Sequence, residues 1–266
     1  MEIEPSSSGA AVKAEMSDYY DRLASNSSVA KGMEVDEDLD AIMAREAGRR
    51  YFQMRKMQMA ERLGGFRPGQ RLVEVGCATG PYTVRLAREM GYRMTGVDLS
   101  PKSITVALDL LDSIGLTGEI DYREGDFEKL DCVGDDEFEG LVSFSCIRYV
   151  PDPLEGLKQA LRVVKPGGRV VVDFPNRFCP WFKVLKTKFG VNVHFGDRHF
   201  SAREVEAMFC EAGFEDVCYR KLLFTPTITP RRILPAFRAI DLIAERLPGL
   251  KETAAIIMCT GRVPAT

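Results

Sequence analysis

Leu72-Val73-Glu74-Val75-Gly76-Cys77-Ala78-Thr79-Gly80-Pro81-Tyr82, followed by Gly96-Val97-Asp98-Leu99-Ser100, decides the fold. The first stretch reads as a strand, a glycine-bent loop and the opening of a helix. The second reads as a strand that ends in an acid. Small residues let a ligand approach the backbone, and the first N–H groups of a helix have no partner within it, so a nucleotide-like molecule suits this geometry.

The alternation continues on the far side of the loop. Val84, Leu86, Ala87 and Met90 have helical spacing until Gly91, Arg93 to Val97 is a second strand, and Ser100-Pro101 opens a helix to about Ile114. Gly118 to Arg123 and Phe138 to Phe144 follow as strands. Leu154 to Val164 is a helix that ends at Lys165-Pro166-Gly167-Gly168, and Arg169 to Phe174 is an apolar fifth strand. Strands alternating with helices predict an α/β, mostly parallel sheet with helices on both faces and ligands at the carboxyl ends of the strands.

Composition narrows the class. A chain of 266 residues with 45% hydrophobic content buries a sizeable core, and a net charge of -3 supplies no general positive field, so no nucleic-acid partner is expected. Seven scattered cysteines without a C-x-x-C pair disfavour a zinc site or a disulfide framework and suit a reducing cytoplasm. No metal site is expected. The polar, Ser-rich start gives no targeting signal, and no apolar run reaches the roughly 20 residues that span a bilayer, so stable membrane insertion is not expected.

The ordered elements resemble class I S-adenosylmethionine-dependent methyltransferases, especially the small-molecule branch that includes quinone methyltransferases. The likeness is strong over Arg71 to Asp173 and weak elsewhere. Glu74-Val75-Gly76-Cys77-Ala78-Thr79-Gly80 is similar to the family's acid-x-Gly-x-Gly-x-Gly loop, with Ala78 in place of the middle glycine. The resemblance implies a Rossmann-like sheet of seven strands, completed by Tyr219 to Phe224 and Ala254 to Arg262 as an antiparallel pair, with S-adenosylmethionine as cofactor. It implies that Asp98 accepts from the ribose hydroxyls, Leu99 packs on adenine, Asp126 reads the adenine amine, and Phe127 sandwiches the ring. Ser145 and Cys146 follow the fourth strand, where the family contacts the methionine moiety. Ile147-Arg148-Tyr149-Val150-Pro151-Asp152 replaces the Leu-His-His pattern often found there, so no histidine role transfers to it.

Each element also has a plainer reading. Gly76, Ala78 and Gly80 make a tight turn, Asp98 caps the next helix, and Asp126 is a solvated turn residue; only their joint order favours the cofactor. The loop lacks the third glycine position of G-x-G-x-x-G, which disfavours a nicotinamide-dependent oxidoreductase. That enzyme and a non-catalytic cofactor-binding protein stand as the alternatives.

The expected organisation is a disordered tail over 1–13, an N-terminal helical lid over 14–65, and a methyltransferase domain over 66–266 with substrate-lid segments at 175–200 and 225–251. Tyr19 or Tyr20, on the lid, is a candidate ligand contact. His194 and His199 are the only histidines, and with Tyr19 they are the candidate bases for a substrate hydroxyl; a histidine in a loop also commonly bonds backbone or water. Ser201-Ala202-Arg203-Glu204 predicts a capping box. In the last insert Ile233, Phe237, Ile240, Ala244 and Leu247 make one apolar helix face, with Arg231, Arg232, Arg238 and Arg246 for charge. A substrate lid is the favoured reading of the insert, against a dimer contact or a surface helix on anionic lipid, and peripheral membrane contact stays open, as does monomer or homodimer. The acceptor is expected to be a hydrophobic small molecule methylated at a hydroxyl oxygen, with C-methylation of a quinone or polyketide-like acceptor as the alternative.

Overall fold

A computed structural model of the chain describes residues 9–25, 47–182 and 198–265. His194 and much of the expected N-terminal lid lie outside these residues. Helices α1 (Gly9–Ser25) and α2 (Ala47–Gly64) precede β1 (Arg71–Val75), α3 (Pro81–Met90), β2 (Arg93–Asp98), α4 (Pro101–Ser113), β3 (Asp121–Glu124) and β4 (Phe138–Ser143). Then follow α5 (Pro153–Val163), β5 (Val164–Pro175), α6 (Ala202–Ala212), β6 (Glu215–Leu222), α7 (Leu234–Ala244) and β7 (Ile256–Arg262).

The seven strands form one sheet in the order β3-β2-β1-β4-β5-β7-β6. The first five are parallel, and β7 runs antiparallel between β5 and β6. All parallel strands therefore end at one edge, and β6 ends there too, because it opposes β7 as β5 does. The strands are nearly continuous apolar runs because helices cover both faces: Leu72, Val73, Leu141, Val170, Val171 and Val172 are buried, with Phe138, Leu157 and Phe209 on one side and Met57, Leu86 and Leu111 on the other.

Local signals set the helix starts at this edge. Ser100 caps α4 by accepting from the Ser103 N–H at 3.0 Å, and Asp152 caps α5 by accepting from Leu154 and Glu155. Pro follows each cap, where its missing N–H costs nothing. The expected capping box is present at α6, where Ser201 Oγ accepts from the Glu204 N–H and Glu204 accepts from the Ser201 N–H at 2.7 Å.

The structure redraws three details. Lys165-Pro166-Gly167-Gly168, expected as a turn before the fifth strand, lies within β5, where the pairing with β4 shifts register between Phe138 and Gly140. Residues 9–13, expected in the tail, open α1, because Lys13 forms ion pairs with Asp126 and Glu128 that fasten this end to the body. The apolar stripe expected on the insert is split between two sides of α7. Its buried side holds Asp241 and Ala244, because the Asp241 carboxylate accepts from the Phe224 N–H, the Thr225 N–H and the Thr225 hydroxyl.

Candidate active site

The carboxyl ends of β1, β2, β3 and β4, together with α1, enclose a cavity of about 310 Å³. Its floor is the loop after β1. Gly76 has φ +78°, and a Cβ there would sit 2.4 Å from the Cys146 side chain, so this position admits glycine only. Ala78 has φ +48°, left-handed but not glycine-only, and its N–H donates to Asp98 Oδ2 at 2.8 Å. Gly80, at φ +84°, leaves room for the Tyr122 hydroxyl, which a Cβ would meet at 2.1 Å.

Of the residues singled out from the sequence, Gly76, Cys77, Ala78, Asp98, Leu99, Asp126, Phe127, Ser145 and Cys146 line this single cavity. Asp98 accepts from the Ala78 and Ser100 N–H groups, one on each oxygen, and burial raises its pKa. A carboxylate has about four acceptor positions, so both oxygens keep capacity for a ligand's hydroxyls. Asp126 accepts from the Glu128 N–H at 2.9 Å and from Lys13 Nζ at 2.6 Å. The plainer readings of these two acids are thus partly present: each organises its own loop while facing the cavity.

Glu74 lies below the loop and is fully buried. The Thr83 hydroxyl donates to its Oε2 at 2.5 Å, while Oε1 has no hydrogen-bond partner among the described residues. Burial pushes its pKa up to about 8. Glu74 does not line the cavity, so of the acids expected to meet the cofactor only Asp98 and Asp126 do.

Tyr20, not Tyr19, lines the cavity; Tyr19 packs edge-on against Tyr20 with ring centroids 5.3 Å apart. His199 stands beside Phe182, ring centroids 4.9 Å apart, and does not line the cavity. Its neighbour Arg198 reaches the rim, where it donates to the Pro151 carbonyl at 3.2 Å. Tyr20, Tyr82, Cys77 and Cys146 all line the cavity, and burial is the chief cause that raises each of their pKa values, so they are neutral near pH 7.

Lys56 and Asp173 escape a sequence reading centred on loops. Lys56, on α2, is 0% exposed and forms an ion pair with Asp173, 1% exposed, on β5. Lys56 Nζ also donates to Ser145 Oγ at 2.8 Å and lies between the rings of Tyr82, Phe144 and Phe52, 5.2 to 5.7 Å from their centroids. Asp173 Oδ1 accepts from the Ser145 N–H at 2.6 Å. Ser145 therefore has its hydroxyl and its amide both held, which fixes it at φ +59° on the cavity wall. Burial lowers the Lys56 pKa and the Asp173 charge raises it, with a net rise, so the ammonium stays charged. The signal was present: Phe52, Lys56 and Ala60 share one helix face, and Asp173 is the lone acid in Val170-Val171-Val172-Asp173-Phe174-Pro175.

The insert holds a different hollow. A groove of about 620 Å³ runs between α2 and α7, lined by Tyr51, Met54, Arg55, Leu234, Arg238 and neighbours, and it shares no lining residue with the smaller cavity. Arg55 pairs with Glu245 at 2.5 Å, and Arg238 lies over the Tyr51 ring.

Known proteins share this architecture. The ubiquinone/menaquinone biosynthesis C-methyltransferase UbiE of Vibrio vulnificus is 29% identical over 180 residues, which cover 59% of this chain and 69% of that protein. A ubiquinone biosynthesis O-methyltransferase of Alkalilimnicola ehrlichii is 33% identical over 119 residues, covering 45% of this chain and 47% of the relative, so the chain spans about half the length of that protein. Among solved structures, the [4+2]-cyclase SpnF superposes with a TM-score of 0.65 at 20% identity, over 96% of this chain and 97% of that one, a likeness of fold alone. No described helix is long and apolar enough to cross a membrane. The family described as methyltransferase domain matches residues 43–219, well over half of the chain. The chain thus belongs to the methyltransferase-domain family, as a class I S-adenosylmethionine-dependent methyltransferase.

Proposed function

We propose that the chain transfers the methyl group of S-adenosylmethionine to a hydrophobic small molecule at a hydroxyl oxygen. The observation that carries the reading is the convergence of Gly76, Asp98, Asp126 and Ser145 on one cavity at the parallel strand ends. In this reading Asp98 takes the ribose hydroxyls and Asp126 and Phe127 take the adenine, while Glu74, which does not line the cavity, stands beneath the loop. Cys146 and the clamped Ser145 border the methionine end.

Bound S-adenosylmethionine supplies an already electrophilic methyl on a sulfonium. The protein's task is then alignment, which contributes about 7–11 kcal/mol in favourable cases. Tyr82, Phe144, Tyr20 and Tyr149 give the cavity an aromatic lining suited to a flat apolar acceptor. Among the described lining residues the tyrosine and cysteine groups with raised pKa values make poor bases. An acidic acceptor such as a phenol fits this setting, because its own hydroxyl ionises readily. His199 and Tyr19 stand back from the cavity, and His194 lies outside the described residues. Seven free cysteines support work in a reducing cytoplasm.

The likeness to a C-methyltransferase favours carbon as the second reading. A radiolabelled methyl-transfer screen over phenols and quinones, with the site of label located by mass spectrometry, separates oxygen from carbon. In calorimetry Asp98→Ala is expected to weaken S-adenosylmethionine binding by at least about tenfold, as loss of hydrogen bonds to a charged group does. Unchanged affinity would refute the ribose assignment. Tight NADH binding would favour the oxidoreductase instead.

A further inference from the structure

Eleven large apolar side chains are exposed among the described residues, and seven of them lie between Ile228 and Leu250, in the insert that joins β6 to β7. Their order follows the helix period. Ala236, Ile240, Ile243 and Leu247 repeat at spacings of four, three and four along α7 and the turn after it; Ile240 is 46% and Ile243 60% exposed. Phe237, Asp241 and Ala244 make the opposite stripe, and Asp241 and Ala244 are buried against the body. The outward stripe is therefore a surplus of apolar surface that packing of the helix does not use.

The charge on this segment is mostly positive. Arg231, Arg232, Arg238, Arg246 and Lys251 stand beside three acids, Asp241, Glu245 and Glu252, in a chain whose net charge is -3. All three acids are engaged within the chain: Asp241 with the amides of Phe224 and Thr225, Glu245 with Arg55 and the Leu223 N–H, and Glu252 with Lys221.

We infer that the outer face of α7 docks on an anionic lipid bilayer, with Ile240, Ile243 and Leu247 in the boundary between headgroups and acyl chains and the flanking arginines on the lipid phosphates. Charge complementarity selects this occupant. A second copy of the chain would set Arg232, Arg246 and Lys251 against their own counterparts across a two-fold axis, while the acids of the insert are already engaged within the chain. The placement is apt as well. The insert leaves the sheet at the carboxyl edge, the edge that holds the cavity, and Asn176 fastens its far end to the exit of β5 by donating to the Glu252 and Ala254 carbonyls at 2.8 and 2.7 Å. Exposed Phe178 and Trp181 follow directly on that exit.

Vesicle flotation with the full chain tests this. Vesicles of equal parts phosphatidylglycerol and phosphatidylcholine should carry the protein, vesicles of phosphatidylcholine alone should not, and added salt should release it. Ile243→Ser with Leu247→Ser, and separately Arg232→Glu with Arg246→Glu, should each weaken vesicle binding by more than about tenfold while the melting temperature holds. Should the serine pair fail to fold, the charge-reversed pair decides, since both arginines are exposed. Three results overturn the inference: no binding to anionic vesicles, equal binding to both vesicle types, or a stable dimer in sedimentation that Ile243→Ser dissociates while vesicles capture nothing. Calorimetry with S-adenosylhomocysteine, the demethylated product of S-adenosylmethionine, reads the cavity independently of any of these outcomes.

Discussion

At the β1 to β4 flank of the sheet the site is made largely of backbone: a glycine at φ +78°, an alanine at φ +48°, and carboxylates that accept from amides within two residues or across one loop. At the β5 to β6 flank the corresponding surface is made chiefly of side chains that meet from far apart, Arg55 with Glu245 and Arg238 with Tyr51. The first kind of construction admits few residue types at each position and leaves a cavity of definite chemistry. The second tolerates many substitutions and leaves a groove and an apolar face whose use depends on what lies beyond the chain. Family membership speaks to the first flank; the second is where this chain has freedom to specialise.

Helix α2 stands between the two flanks, and breaking its inner grip gives the largest effect. Lys56→Met leaves Asp173 buried without a counter-charge and should cost about 3–5 kcal/mol in denaturant unfolding, with loss of methyl transfer as Ser145 is released. Lys56→Met combined with Asp173→Asn should recover much of the stability but not the transfer. If the double variant transfers methyl normally, the pair is structural ballast and the flank owes its chemistry to the loop alone.

Asp241→Ala attacks the other flank. It strands three donors, the Phe224 and Thr225 amides and the Thr225 hydroxyl, and should cost about 2–3 kcal/mol with faster proteolysis between 225 and 251. Affinity for S-adenosylmethionine should stay within about twofold if the flanks are separately built. A tenfold loss would mean that α2 carries strain between them.

A smaller effect concerns protons. Glu74 has a folded pKa of about 8 against an ordinary value of 4.5, so the native state holds a proton that the unfolded chain releases. Stability at this group is therefore full below 4.5 and falls as pH rises toward 8. Asp98, raised by burial in the same sense, adds to the slope. Glu74→Gln should flatten the decline of melting temperature between these pH values without abolishing it, and a slope equal to that of the parent protein would place the proton elsewhere.

The same division explains what the sequence discloses. The alternation of strands and helices, the caps at Ser100 and Ser201, and the glycine-bent loop after β1 follow from local rules, while the family resemblance adds the residues after β2, β3 and β4; nine of the residues so named line one cavity. Lys56 and Asp173 are a different case: 117 positions separate them, and neither acquires meaning until α2 is laid over the end of β5. The insert's apolar stripe went astray for a related reason. Counting hydrophobic residues puts Ile233, Phe237, Ile240, Ala244 and Leu247 on one helix face, whereas an aspartate with three bonds decides which side of the helix turns inward. Tyr20 replaces Tyr19 at the cavity because one residue on a helix is a turn of about 100 degrees.

Helix α1 crosses the cavity like a strap buckled at both ends. Lys13 holds Asp126 and Glu128 at one end; Asp21 accepts from the Ser100 hydroxyl at 2.5 Å and the Lys102 N–H at 3.1 Å at the other. The first buckle is ionic and partly open to solvent, so dissolved ions loosen it, while the second is a pair of short-range bonds that salt hardly touches. The two ends of α1 consequently answer differently to dissolved ions: rising ionic strength weakens the Lys13 attachment before it touches that of Asp21.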